Sequence, residues 1–431
     1  MLKDLYIRLK KNKTLINGGL FSIFSFICKG SSFFLLIILA KFILPDDYGR
    51  LSLFGTVQTF ISYFIAFSTA GYMSVAFFKK EFEEFKKDFT AIVLLSILSV
   101  GLFSLIAIVV LPFIGDNLGF PNYLLWYAIL LSFLTCIIGL YLDYLRIKEQ
   151  VISYGIVSCG NALLIFVLSI IIVVYLRYGW TGWISARLVA DVLFAIIAIF
   201  FFFRLKLFKI DFSWIRYKTM LMWGIPLIPH LASVWLRQGG DRYIININNS
   251  VYEVGLFSFA LNLTSVIIMI GMAFNQTNSV SIYKILSDKS LINKKDILRS
   301  QTRNIFYIYL LASLFVSLLM VILVPFVLPQ YSGSVPYFGI LAFYGFLQCI
   351  YFLFCNFLFY FEKTKQLMYV TFGTSLLHLA LSIILTRYSL YYTCIIYVVI
   401  QALIVFLVTY LSIKYIRESN ILANNNNSSA V

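Results

Sequence analysis

Charged side chains interrupt several long apolar stretches of this chain, and most of them are basic. The basic ones are Lys29, Arg187, Arg237 and Arg242, and the acidic ones are Asp191 and Asp241. A charge near the middle of a membrane helix costs about 2.5–3.5 kcal/mol on insertion scales, so such residues normally pair or face water. Arginine offers two parallel hydrogen bonds to a phosphate or carboxylate. The four basic residues therefore predict a cationic cavity that binds an anionic substrate.

Each of these charges also has a structural interpretation. Arg187 and Asp191 are four positions apart, which allows an ion pair on one helix face. Lys29 has no acidic residue within a helical turn, so it needs a partner elsewhere or water. Arg237 and Arg242 lie toward the predicted outer end of their stretch, where their side chains can extend to the membrane surface.

The stretch that carries Arg237 also contains proline and histidine. Pro226 and Pro229 each remove a backbone donor, so we expect a helix break there. His230 follows the break, where it is either a hydrogen-bonded interior residue or a proton-sensing group. Together with the nearby acids, these observations give four candidates for ion coupling or for charge partners: Asp191, Asp241, His230 and Glu253.

The elements that must position these side chains are membrane-spanning helices. The composition is 61% hydrophobic and 12% charged, with a mean hydropathy of +0.92, and a span needs about 20 apolar residues. About twelve stretches meet this length, which predicts an all-α polytopic membrane protein without a water-soluble catalytic domain. They cover 17–44, 49–78, 89–113, 122–145, 151–176, 180–203, 219–245, 251–282, 304–328, 336–361, 367–387 and 390–413. The longest breaks, 204–218 and 283–303, are basic and could form short interfacial helices.

The distribution of basic residues predicts the orientation. Most of the 34 lysine and arginine residues lie in alternate breaks that include both ends of the chain, and positive loops face the cytoplasm. Both termini are therefore predicted to be cytoplasmic. The net charge of +16 is explained by this topology and by contact with anionic lipid headgroups, so we predict no nucleic-acid partner. No catalytic residue, metal site, cofactor or ATP-binding motif is predicted.

The two halves of the chain resemble each other. A shift of 206 positions places Tyr48 to Phe54 on Val254 to Ala260, and each segment begins a helix after an acidic residue. The second helix of each half then carries a polar stripe, predicted to face a central cavity between the halves: Ser52, Thr56 and Thr59, and Ser258, Asn262 and Ser265. We predict a six-helix lobe over 1–203, a basic connection over 204–218, a second six-helix lobe over 219–417 and a disordered tail over 418–431.

Two short motifs resemble those of bacterial polysaccharide transporters. The segment from Gly224-Ile-Pro-Leu-Ile-Pro-His230 through Asp241-Arg242 to Glu253-Val-Gly-Leu-Phe-Ser-Phe-Ala260 is similar to their seventh and eighth helices, and Leu44-Pro-Asp-Asp-Tyr-Gly-Arg-Leu-Ser-Leu is similar to their first outer turn. This family belongs to the multidrug/oligosaccharidyl-lipid/polysaccharide exporter superfamily. The resemblance implies a flippase of the bacterial inner membrane that moves undecaprenyl-diphosphate-linked oligosaccharide outward for O-antigen or capsule assembly. It also implies contact with membrane lipids and cooperation with a polysaccharide polymerase and chain-length proteins. The sequence leaves the energy source open between proton exchange, sodium exchange and the gradient of substrate alone.

Two other functions remain open at this stage. A multidrug exporter of the same superfamily would share the fold, but cationic drugs require carboxylates in the cavity. A membrane-embedded polymerase or glycosyltransferase would require a sizeable outer loop, and the predicted outer loops are all short. Asp46 and Asp47, which such an enzyme could use for a metal, are better explained as the start of the second helix.

Overall fold

The computed structural model describes residues 13–114, 118–288, 291 and 293–418, and these residues form helices and no β-strand. In the first half the helices are α1 Lys13–Leu39, α2 Pro45–Phe64, α3 Tyr72–Lys79, α4 Phe82–Ile114, α5 Leu124–Ile147, α6 Val151–Ser169 with a π-helical end at Ile170–Tyr175, and α7 Gly179–Arg204. In the second half they are α8 Trp214–Gly224, α9 Leu227–Gln238, α10 Gly240–Asn248, α11 Val251–Ser287, α12 Lys294–Val327, α13 Val335–Tyr360, α14 Thr364–Leu385 and α15 Leu390–Glu418.

The predicted all-α fold with long apolar helices is confirmed. Within the described part of the chain, 11 helical segments are long and apolar enough to cross a membrane, and α1, with 27 residues, precedes them. In the described residues no separate short helix fills either basic break, although the short helix α8 starts at Trp214, inside the first of them. Residues 205–213 are not helical, and the second break is largely occupied by the end of α11 and the start of α12. The predicted tail lies outside the described residues apart from its first position, Glu418, the last residue of α15.

The chain divides into two compact units, Met1–Ala232 and Ser233–Val431, and the division falls inside α9. The predicted second lobe starts earlier, at residue 219. Corresponding helix pairs pack together in the two units. In the first unit α2 packs on α5, α4 on α5, α5 on α7, α6 on α7 and α1 on α6. In the second unit α11 packs on α13, α12 on α13, α13 on α15, α14 on α15 and α10 on α14. The internal packing of the units thus follows the repeat that the sequence indicates.

The starts of the second span in each unit agree with the same repeat. α2 begins at Pro45 and α11 at Val251, positions that the 206-residue shift superimposes. Asp46 and Asp47 occupy the first turn of α2, where the helix dipole favours negative charge. The hydroxyl of Ser250 caps α11 by accepting a hydrogen bond from the Glu253 backbone N–H at 3.2 Å.

The second predicted span is interrupted by a left-handed turn. Ala66, Phe67 and Ser68 have φ values of 53°, 49° and 57°, a backbone conformation that residues other than glycine rarely adopt. Hydrogen bonds hold it: the Ala66 N–H donates to the Ser99 hydroxyl at 3.1 Å, and the Thr69 hydroxyl donates to the Ala66 carbonyl at 2.6 Å. Irregular backbone at membrane depth requires such partners, because lipid offers none.

Gly224, at the end of α8, packs directly on this turn. A Cβ atom there would overlap the carbonyl oxygen of Phe67 and lie 2.8 Å from the Thr69 methyl group. We expect Gly224→Ala to lower the free energy of unfolding by about 1–3 kcal/mol, because backbone must shift to admit the methyl group. Thermal unfolding of the purified protein in detergent measures this. Gly55→Ala is the matched control, since a Cβ at Gly55 meets no atom within 4 Å; equal stability of the two variants would contradict the prediction.

An ion-pair network fixes the basic segment 204–218 onto the start of α4. Arg216, only 10% exposed, contacts three carboxylates: Asp88, which is fully buried, Glu84 at 2.7 Å and Asp211 at 2.9 Å. Lys80 also binds Asp88, at 2.6 Å. A peripheral pair joins Lys209 to Glu83 at 2.7 Å, and this hydrogen bond raises the pKa of Lys209. The basic segment is therefore part of the first unit's packing.

Candidate functional site

A polar cavity of about 220 Å³ lies inside the second unit. Helices α9, α13, α14 and α15 each contribute to its wall. Its lining residues are Arg237, Gln238, Tyr344, Gln348, His378, Tyr397, Ile400 and Gln401. All but Ile400 carry a hydrogen-bonding side chain, and none is a carboxylate. A smaller cavity of about 50 Å³ also has Arg237, Gln348 and Gln401 in its lining.

Arg237 reaches this cavity because α9 ends beside it. The last carbonyl groups of a helix lack partners within the helix, and the Tyr397 hydroxyl donates a hydrogen bond of 2.5 Å to the Arg237 carbonyl. The chain then breaks at Gly239 and restarts as α10. The break leaves the Arg237 side chain at the cavity, where its Nε is buried and has no hydrogen-bond partner among the described residues.

A buried carboxylate–imidazole pair supports the cavity wall. Asp241 lies in the first turn of α10 and is fully buried, and its Oδ2 is 2.7 Å from Nε2 of His378, which is 1% exposed. The imidazole ring meets the Tyr397 ring edge to face at 4.9 Å, and Tyr397 in turn meets Tyr344 at 5.1 Å. The ring contacts hold His378 in a defined orientation toward Asp241.

Arg242, the other arginine of this region, forms hydrogen bonds within the second unit. Its Nε donates to the Ser258 hydroxyl at 3.0 Å, and its Nη1 donates to the Gln238 carbonyl at 2.6 Å. Ser258 is fully buried. The structure thus links a predicted substrate-binding arginine to a member of the predicted polar stripe and keeps it outside the cavity lining.

The first unit contains a second polar cluster. Nε of Arg187 lies 3.5 Å from Oδ2 of Asp191, the local pair that the spacing allows. The cluster extends to two amides: Arg187 donates to Oε1 of Gln58 at 3.3 Å, and Asn161 donates to Oδ1 of Asp191 at 3.0 Å. Asp191 is 3% exposed. This buried carboxylate is therefore neutralised and hydrogen bonded within its own unit.

The residues of the two predicted polar stripes differ in how exposed they are. In the first polar stripe, Thr56 is buried and bonds the Ser52 carbonyl at 2.9 Å, whereas Thr59 is exposed. In the second stripe, Asn262 and Ser265 are half-buried, and the Ser265 hydroxyl donates to the Asn262 carbonyl at 2.6 Å.

Glu253, Pro226 and Pro229 lie at or near the starts of helices. Glu253 is half-buried in the first turn of α11. α8 ends at Gly224 and α9 begins at Leu227, so Pro226 lies in the break. Pro229 lies in the first turn of α9, where a missing N–H costs little. The side chains of Lys29 and His230 lie outside the described part of the structure.

Sequence reasoning missed His378, Gln348 and Gln401 in the second unit, and Gln58 and Asn161 in the first. His378 is one of only two histidines in the chain, and it shares a buried helix face with Thr374, Ser375 and Ser382. Polar residues at this spacing within an apolar span are the signal that could have identified it. The described residues contain no group of three or more His, Cys, Asp or Glu side chains suited to a metal ion.

Comparison with known proteins relates the fold to that of membrane transporters. The sequence matches no protein-family profile. It also matches no curated protein significantly. Among solved structures, an inward-facing multidrug resistance MATE family transporter of the MOP superfamily aligns with TM-score 0.71 and 14% identity over 94% of this chain and 96% of that one. The lipid II flippase MurJ in an inward closed conformation aligns with TM-score 0.69 and 15% identity over 94% and 90%. A mutant of a Vibrio cholerae MATE transporter aligns with TM-score 0.57 and 15% identity over 96% and 99%. The chain therefore has the MATE/MurJ transporter fold.

Proposed function

We propose that this protein is a flippase that moves undecaprenyl-diphosphate-linked oligosaccharide from the inner to the outer leaflet of the bacterial cytoplasmic membrane by alternating access. The oligosaccharide is a repeat unit for surface polysaccharide, O-antigen or capsule, which a polymerase and chain-length proteins then assemble. The fold supports transport in general, because both multidrug exporters and the lipid II flippase share it. The choice of an anionic lipid-linked cargo depends on the charges within the spans.

The observation that carries the proposal is that the two buried acids have partners, whereas the half-buried Arg237 has no acidic partner among the described residues. Asp191 is bound by Arg187 and Asn161, and Asp241 is bound by His378. Arg237, in contrast, lines a cavity that has no carboxylate in its wall. Because a low-dielectric wall strengthens the field of such a charge, the cavity attracts anions and repels cations. A diphosphate or an acidic sugar fits this environment.

A multidrug exporter is the second candidate, and the similarity to MATE transporters favours it. Export of cationic drugs would require a carboxylate free to face the drug. Among the described residues, Asp191 is bound by Arg187 and Asn161, and Asp241 is bound by His378 through Oδ2, while its buried Oδ1 has no hydrogen-bond partner. Neither carboxylate lines the cavity beside Arg237. Energy coupling to protons or sodium ions would serve either cargo, and the Asp241–His378 pair is the buried titratable pair best placed for it.

Reconstitution in liposomes tests the proposal. The measurement is the rate at which a fluorescent lipid-diphosphate oligosaccharide becomes accessible to a reagent that cannot cross the membrane. We expect the native protein to translocate it, and Arg237→Gln to reduce the rate about tenfold or more, because the variant replaces a charge-assisted bond to the anion by a neutral one. Arg187→Gln is expected to reduce the rate as well.

The controls separate cargo from general damage. Arg387→Gln removes an exposed arginine of the same unit, whose side chain bonds only Tyr388 among the described residues, and should leave the rate unchanged. A parallel assay with a quaternary-ammonium dye addresses the exporter alternative. Translocation of the dye without translocation of the lipid-linked sugar would reject the flippase and favour drug export.

A further inference from the structure

The cavity of the second unit contains hydrogen-bond donors that nothing in the described structure satisfies. Arg237 Nε and Gln401 Nε2 are both buried and without partners, and Gln401 is only 2% exposed. A buried donor left without a partner costs about 1–3 kcal/mol, and more when it is charged. These two groups lie in the lining of the same cavity, which identifies it as a place where an acceptor binds.

The charge of the missing acceptor follows from the ion pairs. In the described part of the chain, no Asp or Glu oxygen lies within 4 Å of Arg237. Asp241, a buried carboxylate of this unit, is bound by His378 through Oδ2 at 2.7 Å, and its Oδ1 has no hydrogen-bond partner among the described residues. Water could accept from both donors, but it would leave the half-buried Arg237, whose Nε is fully buried, without an opposite charge, and charges removed from water are stabilised by pairing. The acceptor is therefore negative.

The size of the cavity limits the ligand further. A drug-sized ligand occupies a pocket of about 300–1,000 Å³, and this cavity has about 220 Å³. A water molecule accounts for about 30 Å³ of liquid volume, so the space corresponds to a few waters or to one small polar ring. An oligosaccharide or a lipid chain does not fit inside it. The remainder of a larger substrate would have to stay outside.

We infer that this cavity is a binding site for a single oxyanion, a carboxylate or phosphate, carried by a group no larger than one sugar ring. Arg237 and Gln401 bind the oxyanion. Tyr344 and Gln348 lie along the same wall, where they contact the hydroxyl groups of a ring. This inference rests on the proposed function, under which the ligand is an acidic group of the lipid-linked oligosaccharide. A free small anion has the same chemistry.

Binding to the purified full chain in nanodiscs of zwitterionic lipid tests the site. The probes are glucuronate, inorganic phosphate and, as the neutral control, glucose, and the readout is the thermal unfolding temperature against probe concentration. We expect glucuronate or phosphate to stabilise the native protein and glucose to have no effect. Arg237→Gln should raise the half-saturating concentration about tenfold or more, and Gln401→Leu by a smaller factor of about three to ten.

Arg387→Gln is the matched control and should bind as the native protein does. If Arg237→Gln fails to fold, Gln401→Leu alone still tests the site. Equal stabilisation of the native protein, Arg237→Gln and Gln401→Leu, or equal stabilisation by glucose, would overturn the inference. Competition by an acidic lipid-linked oligosaccharide distinguishes the two sources of the anion. If the oligosaccharide displaces glucuronate, the ligand is the acidic group of the substrate. If it does not, the ligand is a free small anion.

The outcomes for the site and for the flippase are separable. Anion binding without translocation in liposomes would reject the flippase and leave the anion site standing. Translocation without anion binding at this cavity would reject the site and leave the flippase standing.

Discussion

Replacing His378 with leucine is expected to lower the free energy of unfolding by about 3 kcal/mol, because a buried group that loses its hydrogen-bond partner costs about 1–3 kcal/mol, and a charged one more. Asp241 is fully buried, and its Oδ2 oxygen would lose the imidazole at 2.7 Å. The lost ring also contacts Tyr397 at 4.9 Å, so the cavity wall loses packing at the same time. Denaturant or thermal unfolding of the purified protein in detergent measures the change.

Two further variants identify the cause. Glu418→Gln breaks an exposed pair of the same unit, in which Lys414 lies 3.8 Å away, and should cost less than about 1 kcal/mol. The double variant Asp241→Leu with His378→Leu removes both polar groups and should recover much of the stability lost in His378→Leu, since a well-packed apolar replacement of a buried pair is often neutral. Native-like stability of His378→Leu would show that the pair contributes little.

Most of the helical architecture was predictable because lipid imposes simple rules on a sequence. A span needs a long apolar stretch, so each predicted segment has a counterpart in the structure. The repeat could also be recognised, and the helix starts at Pro45 and Val251 agree with it. The left-handed turn at Ala66 to Ser68 could not, because no glycine or proline marks it. It depends on a partner distant in sequence, the Ser99 hydroxyl.

The candidate site was predictable only where its chemistry is local. The Arg187–Asp191 pair follows from a spacing of four residues, whereas the Asp241–His378 pair joins residues 137 positions apart. Nothing in the sequence near Asp241 indicates its partner. The amides Gln348 and Gln401 likewise can be recognised as site residues only in the folded structure, where α13 and α15 bring them to the cavity that Arg237 lines. Long-range packing decides which intramembrane polar residues meet, and a single sequence does not contain that information.

Replacing Arg216 with leucine is expected to destabilise the first unit by about 3 kcal/mol, near the low end for breaking a buried ion pair, because Lys80 remains bound to Asp88. Arg216 is 10% exposed and binds Asp88, Glu84 and Asp211 together. Without it, the fully buried Asp88 keeps only Lys80 as a cation, and the basic segment 204–218 loses one of its attachments to α4. Limited proteolysis within 205–213, together with thermal unfolding in detergent, would report both effects.

The same network provides the controls. Lys209→Gln removes only the exposed pair with Glu83, which solvent screens, and should change neither unfolding nor proteolysis appreciably. The double variant Arg216→Leu with Asp88→Leu should be more stable than Arg216→Leu alone, because no buried carboxylate then lacks its guanidinium partner. Lys80, partly exposed, can extend its ammonium group to water in that variant. If Arg216→Leu and Lys209→Gln behaved alike, the stability of this segment would have to come from its apolar contacts, such as that of Phe208 with Phe203 and Phe202.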